Sequence, residues 1–224
     1  MTCLAFDIDG TIYDCGEIII EAFQRGINQF NKNNMRKLQL PSKEIIVSVL
    51  GLPTDLIFEK LFPLLNKNEQ QQMNDLCTDC LINMINQDGG TIFNEVRSTL
   101  EKFHKENYII LAASNGRFEY IESILKSNGL IQYFSEPIIV LNSKIKTKSD
   151  IIRYYKENIC GNRLLIMIGD RSSDRIAASE NNIAFIACAY GHADNTELEG
   201  VKWKADEFGS IYKLVKEIEK EYLL

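Results

Sequence analysis

Five short stretches constrain the fold of this chain more than any other feature: "CLAFDI" (3–8), "YIILAAS" (108–114), "PIIVL" (137–141), "LLIMIG" (164–169) and "IAFIAC" (183–188). Each is continuously apolar rather than alternating. A strand with one wet face alternates, whereas a strand covered on both faces does not, and such strands belong to parallel sheets sandwiched between helices. Amphipathic patterns lie between the later runs. In "RFEYIESILKSNG" (117–129) the apolar positions 118, 121, 124 and 125 share a helix face, and "KSDIIRYYKEN" (148–158) repeats the pattern. "RSSDRIAASENN" (171–182) is less apolar, and "FGSIYKLVKEIEKEYLL" closes the sequence. Strand and helix in alternation predict an α/β protein with a doubly wound, Rossmann-like parallel sheet and right-handed crossovers.

From about Cys15 to Gln87 the rhythm changes. Helical periodicity runs throughout ("EIIIEAFQRGINQF", "SKEIIVSVL", "TDLIFEKLFPLL", "NEQQQMNDLCTDCLINMI") and no strand pattern is present. Ser42, Thr54 and Asn68 are suited to N-caps, and Gly51-Leu52-Pro53 marks a break. We expect a four-helix insert over 16–85, with 1–15 and 86–224 forming the α/β core and "NQDGGT" (86–91) a hinge between them. The sequence contains no internal repeat or low-complexity tract.

The formal charge of −6 argues against nucleic-acid binding, which needs a basic face. There is no apolar run of about 18 residues to span a membrane. Asp7 and Asp9 interrupt the place of a signal sequence, so a cytoplasmic protein is expected. Its oligomeric state stays open, and a monomer satisfies the sequence. The six cysteines (3, 15, 77, 80, 160 and 188) are then expected as reduced thiols. Cys77 and Cys80 form a CxxC without a second pair at zinc-binding spacing, which reads as two cysteines on a helix face. His104 and His192 are too few for a histidine-based metal site.

The first apolar run ends in "DIDGT" (7–11), with Asp14 close behind. Strand alternation puts Asp7 and Asp9 on one side, roughly 6.5–7 Å apart. Alone, the motif admits a solvated turn, a calcium loop, or a magnesium site with a nucleophilic carboxylate. The calcium loop fails: the glycine comes too early, Ile18 stands at the twelfth position and no helix precedes it. Three later motifs decide between these, two of them where a strand ends. Ser114-Asn115-Gly116 offers a hydroxyl and free amides before a helix, a setting for an anion. "KIKTKSD" (144–150) supplies lysines ahead of another helix, and "GDRSSD" (169–174) supplies Asp170 and Asp174, suited to a hard cation. In open α/β sheets, ligands bind beyond the carboxyl ends of the strands.

Taken in order, "DIDGT", Ser114, a lysine of "KTK" and "GDRSSD" resemble the four motifs of the haloacid dehalogenase (HAD) superfamily, and the helical insert resembles that family's helical cap. The nearest resemblance is to its phosphoglycolate phosphatase-like and pyrophosphatase-like members. The resemblance implies a phosphatase acting on a small phosphorylated metabolite. Asp7 would be the nucleophile, Asp9 the general acid and base, and Mg²⁺ would be held by Asp7, the Asp9 carbonyl and Asp170, with Asp174 supporting it. Ser114 and a lysine would bind phosphate, with Gly10, Thr11 and Asn115 beside them. Lys146 matches a "KPxPD" form and Lys148 a "KxDVI" form; the missing prolines favour Lys148. Dehalogenases lack the second carboxylate, so Asp9 points to phosphoryl transfer. A phosphomutase of the same superfamily, or a protein that keeps the fold without turnover, are the alternatives.

Overall fold

The computed structural model describes residues 1–88, 90–194 and 196–222. Its main sheet is parallel and built from β1 (Cys3–Phe6), β4 (Ile109–Ala112), β5 (Leu165–Gly169), β6 (Ala184–Cys188) and β7 (Trp203–Ala205), in the order β4-β1-β5-β6-β7. β1 is central: Cys3–Phe6 pair with Ile109–Ala112 on one side and Leu165–Ile168 on the other. Successive side chains go to opposite faces. Leu4 and Phe6 join a core shared with α5 (Val96–Lys105) and α9 (Ile211–Tyr222). Cys3 and Ala5 join another, with α7 (Lys148–Tyr155) and α8 (Ser172–Glu180). Phe6 lies between Phe103 and Phe208, ring centroids 6.4 and 5.6 Å away. Both faces are covered, which is why these strands read as continuous apolar runs.

The insert forms α1 (Gly16–Asn34), α2 (Lys43–Val49), α3 (Thr54–Leu61) and α4 (Lys67–Asp88). α1 and α4 approach so closely that a Cβ on Gly26 would sit 2.6 Å from the Cys77 sulfur and 2.8 Å from its Cα. Cys77 and Cys80 are therefore helix-packing residues, both as free thiols. α4 also packs on α6 (Phe118–Ser127). The two chain crossings between sheet and helices are bound to each other by a small antiparallel ribbon. In it β2 (Tyr13–Asp14) pairs with β3 (Thr91–Ile92), Tyr13 opposite Ile92 and Asp14 opposite Thr91. No helix among the described residues is long and apolar enough to cross a membrane.

Several local expectations change. "PIIVL" forms no strand. Pro137 has no N–H, while the amides of Ile138 and Ile139 donate to the Glu136 carboxylate (3.2 Å) and the Tyr155 hydroxyl (2.9 Å) instead of a ladder. Asn66, not Asn68, caps α4. It exchanges hydrogen bonds with Glu69, whose amide donates to Asn66 Oδ1 at 3.0 Å while the Asn66 amide donates to Glu69 Oε2 at 3.1 Å, a capping box. Ser42 precedes α2 without a side-chain cap bond, and Thr54 is the first residue of α3, after Pro53. The segment expected as a hinge is helical as far as Asp88 and paired from Thr91; Gly89 lies outside the described residues.

Candidate active site

The carboxyl edge of the sheet gathers the motif residues because they lie just past strand ends or on the first turns of the helices beside them. Asp7 continues β1, its amide donating to the Ile168 carbonyl at 2.8 Å, and Ser114 follows β4, after Ala113 has donated to Phe6 at 2.7 Å. Asp170 follows β5, Asp174 lies on the first turn of α8, and Lys148 opens α7. All five are buried. Thr147 fixes the start of α7 through a capping box with Asp150, and this aims Lys148 inward. Its Nζ lies 2.9 Å from Asp7 Oδ1 and 2.5 Å from Asp174 Oδ1. Lys146 is exposed, its amide donating to Asp150.

Carboxylate oxygens of Asp7, Asp170 and Asp174 all lie within 4.8 Å of one another. Asp170 is further held by the His192 amide at 2.7 Å and the Thr11 hydroxyl at 3.4 Å. Asp174 accepts from the Arg171 amide at 2.9 Å. Gly10 makes the cluster sterically feasible. Its φ of +75° suits glycine, and a Cβ there would lie 2.2 Å from Asp170 Oδ2. Its amide donates to the Tyr13 carbonyl at 2.9 Å. Gly10 and Thr11, expected beside the phosphate, both lie against Asp170.

The electrostatics follow from this crowding. Burial, then the charge of Asp7, pushes both Asp170 and Asp174 above the usual carboxylate range. Burial alone would lower Lys148, but Asp174 and Asp7 more than offset it and hold the ammonium charged. One lysine leaves the three carboxylates short of positive charge, and an all-oxygen donor set of this kind fits a hard divalent cation. Asp9 stands apart from that group. Its Oδ1 accepts from the Tyr120 hydroxyl at 2.5 Å, and burial, opposed by that bond, lifts its carboxyl to about 6.

Ser114 Oγ accepts from the Gly116 amide at 3.1 Å, and Asn115 Nδ2 donates across to the Gly51 carbonyl at 2.8 Å. Asp7, Asp9, Ser114, Asn115 and Lys148 border one cavity of about 80 Å³, roofed by the inserted helices. Tyr120 and the loop after β6 were missed from sequence. The loop, "AYGH" (189–192), was findable, because it too follows a buried apolar run. Tyr120 was not, since it is buried with Ile121, Ile124 and Leu125 and its spacing reads as an ordinary core position of its helix.

Comparison with known proteins places these features. Residues 4–188 match the family model described as haloacid dehalogenase-like hydrolase. A phosphoglycolate phosphatase of Haemophilus influenzae is 19% identical, the alignment covering 95% of this chain and 97% of that protein. Among solved structures, a predicted phosphoglycolate phosphatase from Haemophilus somnus superimposes with a TM-score of 0.81 at 19% identity, over 96% of this chain and 98% of that one. A β-phosphoglucomutase from Clostridium difficile gives 0.74 at 16%, over 100% and 99%. The chain belongs to the haloacid dehalogenase-like hydrolases, and the curated relatives it matches are phosphatases.

Proposed function

We propose that the protein is a magnesium-dependent phosphatase that hydrolyses a small phosphorylated metabolite through an aspartyl-phosphate on Asp7. The observation that carries this reading is the division of labour between two neighbouring carboxylates: Asp7 is tied to Lys148 and the acidic cluster, while Asp9 is tied to Tyr120. One lies beside the Lys148 ammonium and suits a nucleophile. The other, lifted to about 6, suits a proton donor.

In the first step an Asp7 oxygen attacks phosphorus and the ester P–O bond breaks, with Asp9 giving its proton to the leaving alcohol oxygen. In the second, Asp9 takes a proton from the attacking water. The new P–O bond forms, the bond to Asp7 breaks, and inorganic phosphate leaves. Ser114, the Asn115 amide and Lys148 hold the equatorial oxygens. Asp7, Asp170 and the Asp9 main-chain carbonyl, supported by Asp174, would hold Mg²⁺, which when bound supplies positive charge against the transferring phosphoryl group.

We read 16–85 as a cap over a core made of 1–15 and 86–224. The cavity shared by α1, α3 and α4 with the sheet edge supports that division. The test is phosphate release from p-nitrophenyl phosphate with magnesium and with chelator. The parent should be active only with the metal, and Asp7→Asn should lose turnover by at least a thousandfold with an unchanged melting curve. A folded Asp7→Asn protein that still releases phosphate normally would end the aspartyl-phosphate mechanism.

A further inference from the structure

The cavity in front of Asp7 has two unlike halves. Toward the sheet it is polar: Asp7, Asp9, Ser114, Asn115 and Lys148. Toward the helices it is lined by Ile19 and Phe23 of α1, Leu50 just after α2, Ile57 and Phe58 of α3, and Leu81 of α4. Phe23 and Phe58 stack there, centroids 5.4 Å apart and planes 16° from parallel. The few polar groups of that half are engaged or uncharged. The Thr78 hydroxyl donates to Asn74 Oδ1 at 3.1 Å, the Arg117 guanidinium is paired with Asp75 at 2.5 Å, and Thr54 is neutral. Among the described lining residues the cations are Lys148 and Arg117, and Lys148 sits between Asp7 and Asp174.

A second anionic group on the substrate would therefore be stripped of water against phenyl and leucyl side chains with no unpaired cation to meet it, which is strongly unfavourable. A polyhydroxylated sugar would meet the Thr54 and Thr78 hydroxyls there and would leave most of its own hydroxyls without partners. An apolar body gains instead, by about fourfold in affinity for each methylene taken out of water. Room for on the order of six water molecules, at roughly 10–15 Å³ of such volume each, accommodates a single ring or a short branched chain beside the phosphoryl group.

Resting on the phosphatase reading above, we propose that the substrate is the phosphate monoester of an apolar alcohol or phenol, carrying no second charge. The curated relatives are named for phosphoglycolate; the wall opposite Asp7 in this chain matches a different leaving group.

Two measurements on the magnesium-loaded protein test this together. The first is kcat/KM for benzyl phosphate, phosphoglycolate and glycerol 3-phosphate, whose alkoxide leaving groups are similar. The second is calorimetric affinity for benzylphosphonate and phosphonoacetate, which are not hydrolysed. Benzyl phosphate is expected to exceed both other esters by at least tenfold, and benzylphosphonate to bind at least tenfold more tightly than phosphonoacetate. Leu81→Lys, or Thr54→Lys at the cavity rim should the first variant fail to fold, should shrink or reverse both ratios by more than tenfold. Phosphoglycolate or glycerol 3-phosphate equalling or exceeding benzyl phosphate, or tighter binding of phosphonoacetate, overturns the proposal. Retained preference for benzylphosphonate with turnover of none of the esters, p-nitrophenyl phosphate included, overturns the phosphatase reading and leaves the apolar specificity of the cavity standing.

Discussion

Asp9 differs from the carboxylates around it in its partner, a phenol rather than an ammonium or another acid. A hydroxyl donating to Asp9 Oδ1 restrains the carboxyl group, which in the proposed reaction gives and takes the proton that moves. Tyr120→Phe should lower kcat about tenfold, the scale of one hydrogen bond to a charged group. The loss should be larger for alkyl phosphates, which need a proton on the departing oxygen, than for p-nitrophenyl phosphate, which does not. Rates across esters of graded leaving-group pKa check this, and a uniform loss would reduce Tyr120 to a packing residue. The lysines separate on stability as well as rate. Lys148→Ala leaves Asp7 and Asp174 facing each other without their buried cation, at a cost of about 3–5 kcal/mol in denaturant unfolding, and should abolish turnover. Lys146→Ala, at an exposed position, should stay within about 0.5 kcal/mol of the parent. The sequence made Asp7, Asp170, Asp174 and Ser114 readable because each follows an apolar run. It left two lysines open because they differ by half a helical turn, and only the capping of α7 by Thr147 decides which one points inward.

At the scale of elements, α1 and α4 meet backbone to backbone at Gly26 and Cys77. Gly26→Ala should destabilise the protein by about 1–3 kcal/mol through overpacking, since a Cβ would press on main-chain atoms that cannot rotate away. Urea unfolding measures it, and a neutral result would mean that the two helices can slide apart freely. Four of the five apolar runs became strands of the parallel sheet; "PIIVL" did not, because side chains took its amides. The opposite error concerns β7 and the β2–β3 ribbon. These have only three and two residues per strand, too few for a period-two pattern to register, and they are set by neighbours far away in sequence.

For the molecule as a whole, the buried acids couple folding to pH and metal. Asp170 and Asp174 are raised above their unfolded range, so the folded state binds more protons than the unfolded one. Without metal, their contribution to stability is therefore lost as pH rises from about 4 up to their folded values, and the penalty is complete above them. A divalent cation bound among these acids, as proposed, would replace those protons. Magnesium should accordingly raise Tm more at pH 8 than at pH 5, and equal shifts in melting curves at the two pH values would contradict this account. The molecule's α/β architecture was readable from periodicity, and the strand-end motifs picked out acids that the structure brings together at one sheet edge. The lining of the cavity was not: Phe23, Phe58 and Leu81 looked like ordinary core positions, and only the packing of α1, α3 and α4 turns them toward Asp7. The ribbon has a consequence for how such a chain can diverge. The amides of Thr11, Ile12 and Tyr13 all converge on the Ile8 carbonyl, at 3.3, 2.9 and 2.9 Å, and Tyr13 then takes its register against Ile92. Adding or removing one residue in either arm would exchange the faces of every side chain in that arm and rotate the helices away from the carboxylates. Descendants of this sequence can therefore rewrite the cavity wall residue by residue, and so change diet, while the length of the two arms stays frozen.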